Sequence, residues 1–116
     1  MITIYGIPNC DTMKKARRWL ADHGVDAQFH NYRTAGIDAD TLAHWCDRVD
    51  WRSLLNTRGA TWRKLPEAQR SDITQARAIP LMAANPTLIK RPVLITDDGA
   101  VHVGFQPQHY AALFTP

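Results

Sequence analysis

The residue best placed to do chemistry is Cys10, in the stretch Ile2-Thr3-Ile4-Tyr5-Gly6-Ile7-Pro8-Asn9-Cys10-Asp11-Thr12-Met13-Lys14-Lys15-Ala16. Apolar, β-branched residues from Ile2 to Ile7 read as a buried strand that Pro8 breaks. From Asp11 the period becomes helical: Met13, Ala16 and Leu20 share one face, Trp19 and Ala21 flank it, and Gly24 stops it. Cys10 therefore falls in the turn between a strand end and a helix N-terminus. The first amides of a helix have no intrahelical acceptor, and the macrodipole puts partial positive charge there. A thiolate facing the amides of Thr12 and Met13 is stabilised, and the Thr12 hydroxyl offers one more donor. Lys14, Lys15 and Arg17 add a positive field that Asp11 opposes. Cysteines so placed fall from about 8.5 to roughly 3.5–7.5 in pKa, which makes thiolate available at neutral pH. The competing reading is a small buried cysteine that only packs behind the strand.

The neighbours of Cys10 narrow the chemistry. Met13 stands where a dithiol oxidoreductase would carry the second cysteine of Cys-x-x-Cys. Ala16 stands where a phosphatase-like Cys-x5-Arg loop would need its arginine. Redox chemistry at Cys10 thus requires a second thiol from elsewhere, and glutathione is the expected co-substrate. Cys46 lies on the apolar stripe Leu42, Trp45, Cys46, Val49 of an amphipathic helix, so it reads as a small hydrophobe. A resolving role would need that stripe to face the first helix's N-terminus.

The elements that position Cys10 follow from the rest of the chain. Asp26 to Tyr32 reads as a second strand with Ala27, Phe29 and Asn31 on one face, and Arg33-Thr34-Ala35-Gly36 as a turn. Asp38 or Asp40 caps the helix that carries Cys46. From about 50 to 90 the pattern is helical, with almost no strand signal. Trp51, Leu54 and Leu55 make a short helix ended by Asn56-Thr57-Arg58-Gly59, and Thr61 caps a turn through Leu65. Ser71-Asp72 caps a longer stretch interrupted by Pro80, and residues 85–89 form a last helical turn. Two strands, 92–96 and 100–104, flank Asp97-Asp98-Gly99, a hairpin signal. A final short helix opens at Gln106-Pro107-Gln108 and carries Tyr110, Leu113 and Phe114. The expected fold class is α/β: a small mixed four-stranded sheet in a single domain over 1–116, with a helical insertion at about 50–90.

Composition bounds the function. With 116 residues, 45% hydrophobic and 22% charged, the chain is long enough for one core and ordinary for a soluble globular protein. No apolar run approaches a membrane span, strand residues begin at once where a signal peptide would lie, and two cysteines do not make a disulfide scaffold. A reducing, cytoplasmic setting is expected. A net charge of +3 suits an anionic ligand such as glutathione, arsenate or a carboxylate. Direct nucleic-acid binding is not expected, because the basic residues are spread rather than gathered with aromatics. His23, His30, His44, His102 and His109 show no metal-ligand spacing with each other or with either cysteine, so no metal is expected.

Four blocks carry a family resemblance: Gly6-Ile7-Pro8-Asn9-Cys10-Asp11-Thr12-Met13-Lys14-Lys15-Ala16-Arg17, Asn56-Thr57-Arg58-Gly59, Ile89-Lys90-Arg91-Pro92-Val93 and Val103-Gly104-Phe105. In order and spacing they resemble the arsenate reductase/Spx/YffB family over nearly the whole chain, the first block being closest to the YffB branch. The resemblance implies a thioredoxin-like fold and a catalytic Cys10, with Asn9, Thr12, Arg58, Arg91 and Pro92 as the substrate- or anion-binding residues around it. It also implies that Arg58 and Arg91 line an anion pocket, and that Pro92 follows a cis peptide bond. A guanidinium presents paired donors in a plane that suits a carboxylate or oxyanion. Three departures redirect the chemistry. Phe105 stands where arsenate reductases of the family have another arginine, Gly6-Ile7-Pro8 replaces their His-Asn-Pro, and Met13 replaces the second cysteine usual in Spx-type regulators. Phe105 offers an apolar surface better matched to a larger thiol than to a small oxyanion. The implied activity is that of a glutathione-dependent monothiol oxidoreductase acting on a thiol or disulfide through a mixed disulfide at Cys10. The alternatives are arsenate reduction through a Cys10 adduct, and a non-catalytic Spx-like module that binds RNA polymerase.

Overall fold

The computed structural model describes residues 1–114. In chain order the elements are β1 (Ile2–Gly6), α1 (Asp11–Asp22), β2 (Ala27–Asn31), the single turn α2 (Tyr32–Ala35), α3 (Ala39–Cys46), α4 (Trp51–Leu54), α5 (Ala60–Lys64) and α6 (Glu67–Arg70). They continue with α7 (Gln75–Ala84), a 3-10 turn (Pro86–Leu88), β3 (Val93–Ile95), β4 (Val101–Val103) and α8 (Pro107–Phe114). Two compact units result: Met1–Thr34 with the chain from Arg91 onward, and Ala35–Lys90.

The first unit holds the sheet, in the order β2-β1-β3-β4. β1 runs parallel to β2 and antiparallel to β3, and β3 and β4 are antiparallel. A parallel pair needs a crossover, which α1 supplies; the antiparallel pair needs only the turn in which Gly99 adopts φ +80°. This is the thioredoxin-like architecture. Ile4 sits opposite Phe29 on one side and Leu94 on the other, so the centre of the sheet is apolar. Against Ile4 and Leu94 pack Met13, Ala16 and Leu20 of α1 and Tyr110 of α8, all buried. The predicted face of α1 is therefore the one that enters the core, while Ala21 is exposed. Gly24, at φ +69°, ends α1: its N–H reaches the Ala21 carbonyl, and that of Val25 reaches Leu20.

In the second unit Asp38, rather than Asp40, caps α3, accepting the Thr41 N–H on Oδ1 at 2.7 Å. Leu42 and Trp45 are buried, and Cys46 is half-buried. Leu55 bridges Ile89, and the Asn56 and Lys90 amides donate to the Leu88 and Leu54 carbonyls at 2.7 and 2.8 Å. These bonds fasten the start of the Asn56–Gly59 turn to the 88–90 segment.

Three expectations for this unit are corrected. Thr61 is not a cap: Gly59 precedes α5, and the Thr61 hydroxyl pairs with that of Thr87 at 2.9 Å. Ser71-Asp72 does not cap the long helix; Thr74 precedes α7, and the Ser71 hydroxyl donates back to Glu67 in α6. Pro80 does not interrupt α7 but lies inside it, exposed, where a carbonyl that loses its partner can turn to water. Among the described residues no helix is long and apolar enough to cross a membrane.

Candidate active site

Cys10 is the N-cap residue of α1. Its backbone is extended, and its carbonyl accepts the Lys14 N–H at 3.0 Å, so the chain passes from β1 into the helix at this residue. The sulfur makes no conventional capping hydrogen bond, and the first-turn amides act on it as aligned dipoles. Burial pushes the thiol pKa up. The Met13 amide, the Arg91 guanidinium, the Thr12 amide and the charge of Arg91 together more than offset burial and hold it below the ordinary cysteine value. Thr12 thus contributes through its backbone.

Arg91 reaches Cys10 from the start of β3. It is half-buried, with Nε fully enclosed, and is joined to buried Pro92 by a cis peptide bond. The Pro92 carbonyl accepts the Gly104 N–H at 2.8 Å, tying the approach to β3 to the end of β4. Cys10, Thr12, Arg91 and Pro92 therefore meet within the first unit. Asn9 is exposed in the turn before Cys10. Arg58 stands in the second unit, exposed, in a turn closed on itself: Asn56 Oδ1 accepts the Arg58 N–H at 3.0 Å, and Arg63 donates to the Arg58 carbonyl at 2.8 Å.

Tyr32 was not singled out by the sequence. It is only 3% exposed, its ring lies 6.2 Å from Tyr5 and 5.9 Å from His30, and the charge of Arg91 acts on it. Burial, then Tyr5, raise its pKa well above the usual phenol value against the pull of Arg91, so it stays protonated. Nothing in the period of the second strand marks such a residue. A phenol directly after the strand was the only visible hint.

The ArsC family model matches residues 5–113. The chain belongs to the ArsC family. The solved structure of the YFFB protein is 50% identical and superposes with a TM-score of 0.91 over 97% of each chain. An arsenate reductase (ArsC) related protein from Brucella melitensis is 54% identical, with a TM-score of 0.76 over 99% of this chain and 95% of its own. The global transcriptional regulator Spx of Streptococcus pyogenes is 29% identical over 117 residues, 99% of this chain and 86% of its own.

Within the ArsC family frame, the departures noted in the sequence acquire physical form. Met13 is fully buried in the core, so the position three residues after Cys10 faces inward. Phe105 is half-buried, meets Tyr110 edge-on at 4.8 Å, and packs against the cluster that Cys10 also touches. A cleft of about 480 Å³ opens beside it, lined by Val103, Gly104, Phe105, Gln106 and His109. Arg17, expected to add to the field at Cys10, lies with its guanidinium 4.1 Å above the Phe29 ring. Cys46 has the opposite character to Cys10. Burial, then Asp47 and Asp50, push its thiol above the ordinary value, so it is the less reactive of the two.

Proposed function

We propose that this ArsC-family chain is a monothiol oxidoreductase in which Cys10 is the nucleophile and glutathione the second thiol. In the first step the Cys10 thiolate attacks one sulfur of a substrate disulfide, forming the Cys10 mixed disulfide and releasing the other sulfur as thiolate. A glutathione thiolate then attacks the substrate sulfur of that bond. Cys10 leaves as thiolate, and the substrate departs as its glutathione disulfide, so no net oxidant is consumed. The single observation that supports this reading is the placement of Cys10 at the N-terminus of α1 beside Arg91, because the same amides and guanidinium lower its pKa and stabilise Cys10 as attacking and as leaving thiolate. Met13 at the second-cysteine position favours an external thiol. Arg91 is assigned the glutathione carboxylates, and the family resemblance adds Arg58 to that role. Such chemistry suits a reducing compartment.

The test is glutathione-dependent reduction of a small mixed disulfide, coupled to glutathione reductase. Cys10→Ser abolishes turnover, and Cys46→Ser leaves it intact. A Cys10→Ser variant as active as the wild type would refute the reading.

Arsenate reduction is the second reading, favoured by the Brucella melitensis relative's description. It predicts glutathione-coupled arsenate turnover that rises when Phe105→Arg supplies another cation. The likeness to Spx carries a third, a non-catalytic contact with RNA polymerase, which Cys10→Ala would leave unchanged.

A further inference from the structure

His102 and His109 are seven residues apart in sequence, on β4 and α8, at a spacing that reads as no metal motif. The fold brings them together: His102 Nδ1 lies 3.1 Å from His109 Nε2, with ring centroids 5.1 Å apart. We propose that this pair is a two-imidazole binding site for a divalent transition-metal ion, copper(II) and nickel(II) ahead of zinc(II).

The hydrogen-bond chain behind His102 fixes which nitrogen is free to ligate. The Thr96 hydroxyl donates to Asp98 Oδ1 at 2.6 Å, since an ionised carboxylate can only accept. Thr96 Oγ1 then has only lone pairs to offer His102 Nε2, 3.3 Å away, so Nε2 carries the proton and donates. His102 Nδ1 is left as a bare lone pair aimed at His109. This is the outer-shell arrangement that orients ligating histidines, one ring N–H being anchored so that the other nitrogen faces the ion. Without metal, His109 Nε2–H donates into that lone pair. With its proton moved to Nδ1, the exposed His109 ring presents a second lone pair beside the first.

The donor type selects the metal class. Two nitrogens bound to one ion at about 2.0–2.1 Å stand roughly 3 Å apart, so both imidazoles reach one ion from their 3.1 Å separation with little movement. Imidazole nitrogen suits copper(II), nickel(II) and zinc(II), and copper(II) heads the order of intrinsic affinity for such donors. Asp98 adds negative charge next to Thr96. No group of three or more His, Cys, Asp or Glu gathers around a point among the described residues, so water fills the remaining positions. The cleft beside His109 leaves room for it.

The test is titration of CuCl2 into the full chain carrying Cys10→Ser and Cys46→Ser, which removes the thiols copper(II) would oxidise. Calorimetry and electron paramagnetic resonance are read together. The site predicts one ion per chain, a spectrum with coupling to two imidazole nitrogens, and at least a tenfold loss of affinity in each of His102→Gln and His109→Gln. His44→Gln, in the other unit, binds as before. Because His109 is exposed, His109→Gln keeps its fold, which circular dichroism checks. Unchanged affinity in His109→Gln, or a bound copper without nitrogen coupling, would overturn the assignment.

Discussion

The thioether of Met13 occupies the space that a side chain at Gly6 would need. A Cβ built on Gly6 would fall 2.7 Å from Met13 Cε and closer still to Sδ. β1 and α1 thus close on each other through the strand residue that lacks a side chain and the helix residue that replaces a second cysteine. The position is part of the core, and Cys10 is left as the thiol of this turn. Gly6→Ala is expected to cost about 1–3 kcal/mol by overpacking. Met13→Ala is expected to cost about 2–5 kcal/mol through the cavity it leaves. The double variant should cost less than the sum, since each change relieves the other. Denaturant unfolding of the three variants checks this; strictly additive losses would mean the contact does not dictate glycine.

The pH dependence of Cys10 has a definite sign. Its folded pKa lies below the ordinary value, so alkylation by iodoacetamide should show a lower midpoint than a free cysteine peptide measured alongside. Cys46, raised by burial, should react only at higher pH. A group lowered on folding contributes stability that is present above its unfolded pKa and is lost as pH falls through the folded one. Arg91→Gln removes part of that contribution and should move the midpoint up. An unmoved midpoint would show that Arg91 does not hold the thiolate.

The turn that presents Arg58 depends on two residues outside the four blocks of resemblance or at their edge. Asn56 holds the Arg58 amide, and Arg63 holds the Arg58 and Gly59 carbonyls, at 2.8 and 3.4 Å. A Cβ at Gly59 would stand 3.0 Å from Asn56 Nδ2, a close contact that the Asn56 side chain would have to ease. Asn56→Ala should speed hydrogen exchange at the Arg58 amide severalfold, and Arg63→Ala should loosen the turn with little loss of global stability. In the coupled glutathione assay both should raise KM more than they lower kcat. A loss confined to kcat would argue that the turn does not serve binding.

Much of this was legible because period and punctuation agree locally. Ile2–Gly6, the Met13/Ala16/Leu20 stripe, the Gly24 stop and the Asp97-Asp98-Gly99 turn each announce themselves within a few residues, and Cys10 follows from their junction. The helical unit was harder, because its connections are made by hydrogen bonds between residues of no fixed spacing. Arg77 donates to the carbonyls of Ala68, Ser71 and Asp72, and so holds the link between α6 and α7, with Asp72 at φ +51°. Hydrophobic periodicity carries no trace of such a clamp, so it shows neither α6 nor the start of α7 after Thr74. Arg91 was visible only through the family resemblance. The nearness of Tyr32 to Arg91 depends on the order of strands in the sheet, and that of His102 to His109 on how α8 folds back on β4; neither spacing encodes that.

The most direct test of the central claim is intact mass spectrometry after exposure to oxidised glutathione at neutral pH and then to reduced glutathione, on wild type, Cys10→Ser and Cys46→Ser. One glutathione adduct is expected in wild type and in Cys46→Ser, none in Cys10→Ser, and reduced glutathione should release it. An inert Cys10, or an adduct that follows Cys46, would contradict it.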